Sequence, residues 1–354
     1  MRAAFYAPLK SVDHPVPSGE RQIARLTLEA LRQAGFAPEV VSAFRSLEKH
    51  GEKAAQDRLI AEAEAEAEAV IARLRPDPPA LWFTYHSYYK APDLIGPTVA
   101  RALAIPYAIS EPSYAPRRLS GPWSAFARAN VEALQAADHL LWTTERDRPA
   151  LAALAPDRLV HLPAFVAPGP APAVRSDPAT PLALLTVAMM RPGDKLASYT
   201  ALAAALAPLD DLAWTLTIVG DGRARAEVEA LFGPFGDQVI WRDAAAPEML
   251  REIYAGHDIL VWPGVGEGIG MVYLEAQAAG LPVLAEDRPG PRDVIATRPL
   301  PAPGDARAFA AAIRRLADPG AWREAAAAAR QHVAAHHSIE AAAAILSQTL
   351  GRAP

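Results

Sequence analysis

The sequence predicts an α/β protein of two domains, each a parallel sheet covered by helices. Three observations carry that expectation. Length and composition come first: 354 residues, 51% hydrophobic and 21% charged, suit about two globular domains. Alternation comes second. Short apolar runs that read as buried strands recur at 3–6, 38–42, 80–85, 106–110 and 139–144, and again at 182–188, 214–220, 238–243, 258–262 and 282–286. Longer amphipathic stretches such as 22–34 and 247–255 separate them, the pattern of βα units whose parallel sheets carry helices on both faces. The third observation is a run of prolines between the two sets: Pro163, Pro168, Pro170, Pro172, Pro178 and Pro181. Proline fixes φ and lacks an amide, so 165–181 reads as a semi-extended linker. Residues 1–168 and 169–337 are therefore expected to be two Rossmann-like domains facing each other across a cleft.

Composition excludes several classes of function. Aromatics make up only 7%, so the cores must be built mainly from Leu, Val, Ile and Ala. Residues 1–170 carry 19 basic and 19 acidic side chains, and the net charge of −5 falls wholly on the second half. The basic excess of a nucleic-acid binder is missing. With no cysteine, disulfides, thiolate metal sites and cysteine nucleophiles are ruled out. Residues 1–8 are too short an apolar run for a signal peptide, and no stretch approaches the ~18 apolar residues of a membrane span. The expectation is a soluble, cytoplasmic protein. One segment misleads: Ala and Glu alternate with period two over 61–69, as in a strand. Both are strong helix formers, and Leu59, Ala63, Ala67, Val70 and Leu74 fall on one helical face, so a surface helix is predicted.

The most informative stretch is 261–283. An apolar strand enters a glycine-rich turn holding Gly266, Gly268 and Gly270, then a helix expected to start near Ile269, then the next strand. In open α/β sheets, ligands bind in the crevice beyond the strand C-termini. Glycines permit close backbone approach there, and a helix N-terminus suits a phosphate. Glu267 precedes the helix and Glu275 follows eight residues later. Helical rise puts them roughly 12 Å apart, the span from a sugar across a diphosphate to a ribose. A carboxylate accepting from ribose hydroxyls follows dinucleotide-binding logic.

Residues 267–283 resemble the signature of retaining nucleotide-sugar glycosyltransferases of family four, which have the GT-B architecture. The resemblance implies that Glu267 contacts the donor sugar and Glu275 the ribose, with Gly268, Ile269, Gly270 and Met271 lining the donor. It also places Arg191 and Lys195, after the strand that opens the second domain, against the diphosphate. Lys195 is the only lysine of the second half, beside fifteen arginines. Gly220, in Val219-Gly220-Asp221-Gly222, falls at a family turn near the nucleotide, where a structural role is as well founded as contact. Residues 241–243 fall where the family reads the base. In the first domain, Ser18 and Gly19 stand where relatives often have Gly-Gly against the diphosphate and sugar. Glu111 stands where many relatives carry a histidine beside the donor sugar, so either Glu111 or His86 supplies the polar contact. The tail 338–354 is expected to pack back on the first domain.

The activity so implied is retaining transfer of a hexose-type sugar from a nucleotide diphosphate sugar to a lipid, polysaccharide or small-molecule acceptor. No Asp-x-Asp is present, so no metal or other cofactor is expected, and Arg191, Lys195 and the helix N-terminus would stand in for a divalent cation. The leaving phosphate oxygen would deprotonate the acceptor on the same face of the sugar. Two other readings stay open: an epimerase or hydrolase-like enzyme on the same fold, and a non-catalytic nucleotide-sugar-binding protein. Two further features are set apart. His332 and His336 have i, i+4 metal-ligand spacing, with His337 adjacent, but lack a convincing third ligand. Arg117, Arg118, Trp123 and Phe126 mix cations and aromatics, which suits acceptor contact, peripheral binding at the inner face of a membrane, or a packed loop.

Overall fold

The computed structural model describes residues 1–13, 19–167, 169 and 177–351. The chain divides into two compact units: Met1–Pro163 joined by the helix Ile339–Leu350, and Ala164–Ser338. The first division falls at Pro163, ahead of the proline-rich segment that the sequence marked as the linker.

In the first unit the strands are β1 (Arg2–Tyr6), β2 (Ala37–Val40), β3 (Leu81–Tyr85), β4 (Tyr107–Ser110), β5 (His139–Trp142) and β6 (Leu159–His161). The helices are α1 (Gly19–Gln33), α2 (Lys53–Leu74), α3 (Gly96–Leu103), α4 (Ser124–Ala136) and α5 (Arg148–Leu154). All strand pairs are parallel, in the order β2-β1-β3-β4-β5-β6. The central strands β3 and β4 are buried along their whole length, which is why they read as predominantly apolar runs. The edge strand β2 alternates exposed and half-buried residues. The alternating Ala/Glu segment is helical within α2, with Ala63, Ala67, Val70 and Leu74 buried on one face.

The second unit holds β7 (Leu182–Val187), β8 (Trp214–Val219), β9 (Val239–Arg242), β10 (Ile259–Val261) and β11 (Val283–Leu284), again all parallel, in the order β11-β10-β7-β8-β9. Its helices are α6 (Asp194–Leu206), α7 (Arg225–Phe232), α8 (Pro247–Ala255), α9 (Met271–Ala278), α10 (Pro291–Val294), α11 (Ala306–Leu316) and α12 (Pro319–His332). The tail helix α13 (Ile339–Leu350) belongs to the first unit and packs on α1. Each unit has its own apolar core. Among the described residues no helix is long and apolar enough to cross a membrane.

Strand order fixes where chemistry can gather. Connections run one way from β1 to β2 and the other way from β3 onward, so the sheet of the first unit reverses between β1 and β3. The second sheet reverses between β7 and β10. Crevices open beyond strand C-termini at such points.

Candidate active site

In the second unit, the segments leaving β7 and β10 meet at the reversal point. The first runs from Val187 through Arg191 to Gly193, which has φ 83° and caps α6. Lys195 lies in the first turn of α6. A cation is disfavoured at that positive end of a helix dipole unless an anion is beside it. Glu267 supplies the anion: Lys195 Nζ and Glu267 Oε1 form an ion pair across 72 residues of sequence. The buried indole of Trp262, immediately after β10, donates its Nε1–H to the same oxygen at 2.9 Å. Lys195 Nζ also stands 5.4 Å from the Trp262 ring centroid, a cation–π contact. Two donors therefore fix Oε1, while Oε2 makes no hydrogen bond among the described residues.

The glycine turn is clasped to α6. Val265 N–H donates to Ser198 Oγ at 2.9 Å. Gly266 has φ 67°, and a Cβ there would collide with the Asp194 carboxylate. Gly268, Ile269 and Gly270 complete the turn, with Ile269 and Met271 packed against the core. Gly270, at φ 76°, caps α9, which starts at Met271 and not near Ile269. Glu267 consequently lies in the turn, and helical rise does not set its distance from Glu275. Only 271–275 is helical, about 6 Å of rise. Glu275 is half-buried and accepts from the Tyr254 hydroxyl of α8 at 3.1 Å. Arg191 is exposed and makes no side-chain hydrogen bond or ion pair among the described residues.

Gly220 has a structural reason to be glycine: its added Cβ would run into the Ala188 carbonyl, and that of Gly222 into the Met190 carbonyl. These glycines let the loops after β7 and β8 lie backbone to backbone, with Met190 N–H donating to Asp221 O at 2.9 Å.

The reversal point of the first unit carries a second charged cluster. His86, just after β3, takes φ 58°, and Glu111, just after β4, takes φ 52°. Left-handed backbone at non-glycine residues costs on the order of 1–2 kcal/mol each and collects at functional sites. His86 Nδ1 lies 3.0 Å from Glu20 Oε2, and the Tyr85 hydroxyl donates to the same oxygen at 3.3 Å. Burial pulls the imidazole's pKa down. The hydrogen bond and charge of Glu20, with the charges of Glu111 and Asp147, outweigh burial and bring His86 up to about 9. Burial raises the Glu111 carboxyl above its ordinary range, opposed by the charge of His86, and its Oε2 is buried without a partner among the described residues. Burial also acts upward on Glu20, but its hydrogen bond with His86 and that residue's charge leave it lowered. His86 and Glu111 thus share one cluster, whereas the sequence set them as alternatives. Gly19 opens α1 and is exposed; Ser18 lies outside the described residues.

Glu20 and Trp262 went unassigned in the sequence. Glu20 sits beside Gly19 in the first turn of α1, and Trp262 directly follows a buried strand, which were the available signals. His332 and His337 face each other Nε2 to Nε2 at 3.2 Å, and His337 Nδ1 lies 2.7 Å from the Ala164 carbonyl oxygen.

Two parallel α/β units of this kind define the GT-B fold. Residues 182–318 match the family Glycosyl transferases group 1. A GDP-mannose-dependent alpha-mannosyltransferase of Mycolicibacterium smegmatis is 37% identical over 93 residues, which is 26% of this chain and 23% of that relative's length. The chain thus matches less than a quarter of that relative. Among solved structures, a glycosyltransferase from Rickettsia africae superposes with a TM-score of 0.73 at 14% identity, covering 99% of both chains. Anabaena HepE in complex with UDP and glucose gives 0.67 at 15% identity, again covering 99% of both. These structural likenesses show the fold.

Proposed function

We propose that the chain is a retaining, metal-independent glycosyltransferase of family four that moves a hexose from a nucleotide diphosphate sugar to a hydroxyl acceptor. The observation that carries the reading is Glu267, aimed by Lys195 and Trp262 at a sheet reversal point inside the stretch matching Glycosyl transferases group 1. The donor class is supported by the GDP-mannose named for the mycobacterial relative and the UDP and glucose held by HepE.

Arg191 offers an unpaired guanidinium fork to the diphosphate, and Lys195 a point charge. The amides of 268–271 at the head of α9 add donors. Glu267 Oε2 accepts from sugar hydroxyls, and Glu275 from the ribose. As the sugar–phosphate bond breaks, negative charge grows on the diphosphate where these groups already stand. Such preorganised charge stabilisation lowers the barrier more than any other contribution in this kind of catalysis. The leaving phosphate oxygen takes the acceptor's proton while the acceptor oxygen bonds to the same face of the sugar, so configuration is retained.

The test is a thermal-shift screen of UDP-, GDP- and ADP-hexoses, followed by NMR of the product's anomeric configuration. Stabilisation by one donor class and an unchanged anomer are expected. Stabilisation by none of them, or an inverted product, would overturn the reading.

A further inference from the structure

The first unit carries an aromatic ladder that the donor chemistry leaves unused. Beyond His86 the chain closes a tight turn, Tyr88 N–H donating to Ala91 O at 3.3 Å and Ala91 N–H to Tyr88 O at 2.9 Å. That turn puts Tyr89 and Lys90 at its tip. Ring centroids then step from His86 to Tyr88 (4.9 Å), Tyr88 to Tyr89 (5.6 Å) and Tyr89 to Trp123 (5.4 Å). The Arg118 guanidinium lies 4.9 Å from the Tyr89 centroid, and Lys90 Nζ 5.3 Å from that of Trp123. The wall behind is cross-tied by a buried glutamine: Gln56 Nε2 donates to Pro122 O at 2.8 Å, and Phe126 N–H donates to Gln56 Oε1 at 3.2 Å.

Neither cation has a carboxylate partner among the described residues. Among the described residues, Arg118 and Lys90 make no side-chain hydrogen bond or ion pair, and Arg118 Nε is shielded from solvent without an acceptor. Glu48, whose N–H donates to Lys90 O, spends its own carboxylate on the amides of His50, Gly51 and Glu52. A shielded donor without an acceptor is costly, and two cations side by side without a counter-charge suit an anionic ligand. The other end of the ladder has the opposite character, with Glu20, Glu111 and Asp147 acting on His86.

We propose that the ladder is an acceptor subsite for a phosphorylated sugar or polyol. The phosphate takes Arg118 and Lys90, the carbon skeleton lies along Tyr88 and Tyr89, and hydroxyls reach the His86 end, from which the carboxylates repel the phosphate. That the bound molecule is an acceptor rests on the glycosyl-transfer reading; that a phosphorylated molecule binds here does not.

Calorimetry on the full chain with glucose 6-phosphate and glycerol 3-phosphate, against glucose and glycerol, tests it. At least one phosphorylated probe is expected to bind about tenfold or more tightly than its neutral partner. Arg118→Gln and Lys90→Gln should each lose about that factor, while Arg191→Ala keeps it. UDP, GDP and ADP are titrated separately, and whichever of them binds wild type should bind Arg118→Gln alike; failure of all three to bind wild type would strike the donor reading alone. The subsite is overturned if phosphate adds nothing to affinity, or if both variants, folded by circular dichroism, bind as wild type does. Binding to phosphatidylglycerol vesicles that needs Arg118, with no binding of the soluble phosphates, would overturn it in favour of a membrane surface.

Discussion

The two sheets place a carboxylate–cation pair at the same topological position and build it from different materials. In the second unit the pair is Lys195 and Glu267, beyond β7 and β10; in the first it is His86 and Glu20, beyond β3 and β1. The second unit reaches its geometry through left-handed glycines, Gly264, Gly266 and Gly270, so its backbone can approach a ligand closely. In the first unit the corresponding turns are made by His86 and Glu111 themselves in left-handed conformation. One edge is turned by glycine main chain; the other holds the side-chain-bearing residues His86 and Glu111 in strained backbone. Strain of that kind persists only where the surrounding structure fixes it.

The largest expected effect comes from the second-unit pair. Glu267→Ala should lower kcat by roughly a hundredfold to a thousandfold while the protein stays folded, measured by steady-state transfer once the donor is known. Near-wild-type turnover would mean that the reversal point of the second unit is only structural. Next comes backbone packing at the same edge. Gly220→Ala, forcing a Cβ onto the Ala188 carbonyl, should cost about 2 kcal/mol in urea unfolding. A neutral result would show that the two loops can part without cost.

The first unit should respond the other way to glycine. Glu111→Gly relieves a left-handed side-chain residue and removes a buried, unpartnered oxygen, so stability should rise by about 1 kcal/mol while acceptor turnover falls. A loss of stability would erase the contrast between the two edges. The smallest effect is the pH dependence of the His86–Glu20 pair, because Glu20 is 34% exposed and solvent screens it. The pair's contribution is complete below pH 6.5, where imidazole is protonated whether folded or not. It is lost as pH rises from 6.5 through about 9. Glu20→Gln removes the main upward influence, so the decline in urea midpoint over that window should disappear and the NMR titration of His86 should move to lower pH. An unchanged titration would show that Glu20 does not hold the proton.

Sequence alone determined the elements whose signals are local. Among the described residues, alternating buried runs and amphipathic stretches marked ten of the eleven strands, because a strand buried on both faces reads as a continuous apolar segment. It missed β6, three half-buried or exposed residues at a sheet edge, whose pairing with β5 is its only distinguishing mark. The glycines at 266 and 270 were legible because a turn or close approach demands them, and Glu267 and Glu275 as carboxylates on either side of the predicted helix start; Gly220, Arg191 and Lys195 were picked out through the family resemblance. The head of α9 was misplaced because Gly270 breaks the helical path only through its left-handed φ.

Tertiary structure alone decided the partners. Lys195 meets Glu267 over 72 residues and His86 meets Glu20 over 66. No periodicity links positions so far apart. They become neighbours because crossover connections set β1 beside β3 and β7 beside β10, and strand order is a property of the packed sheet, not of any one segment.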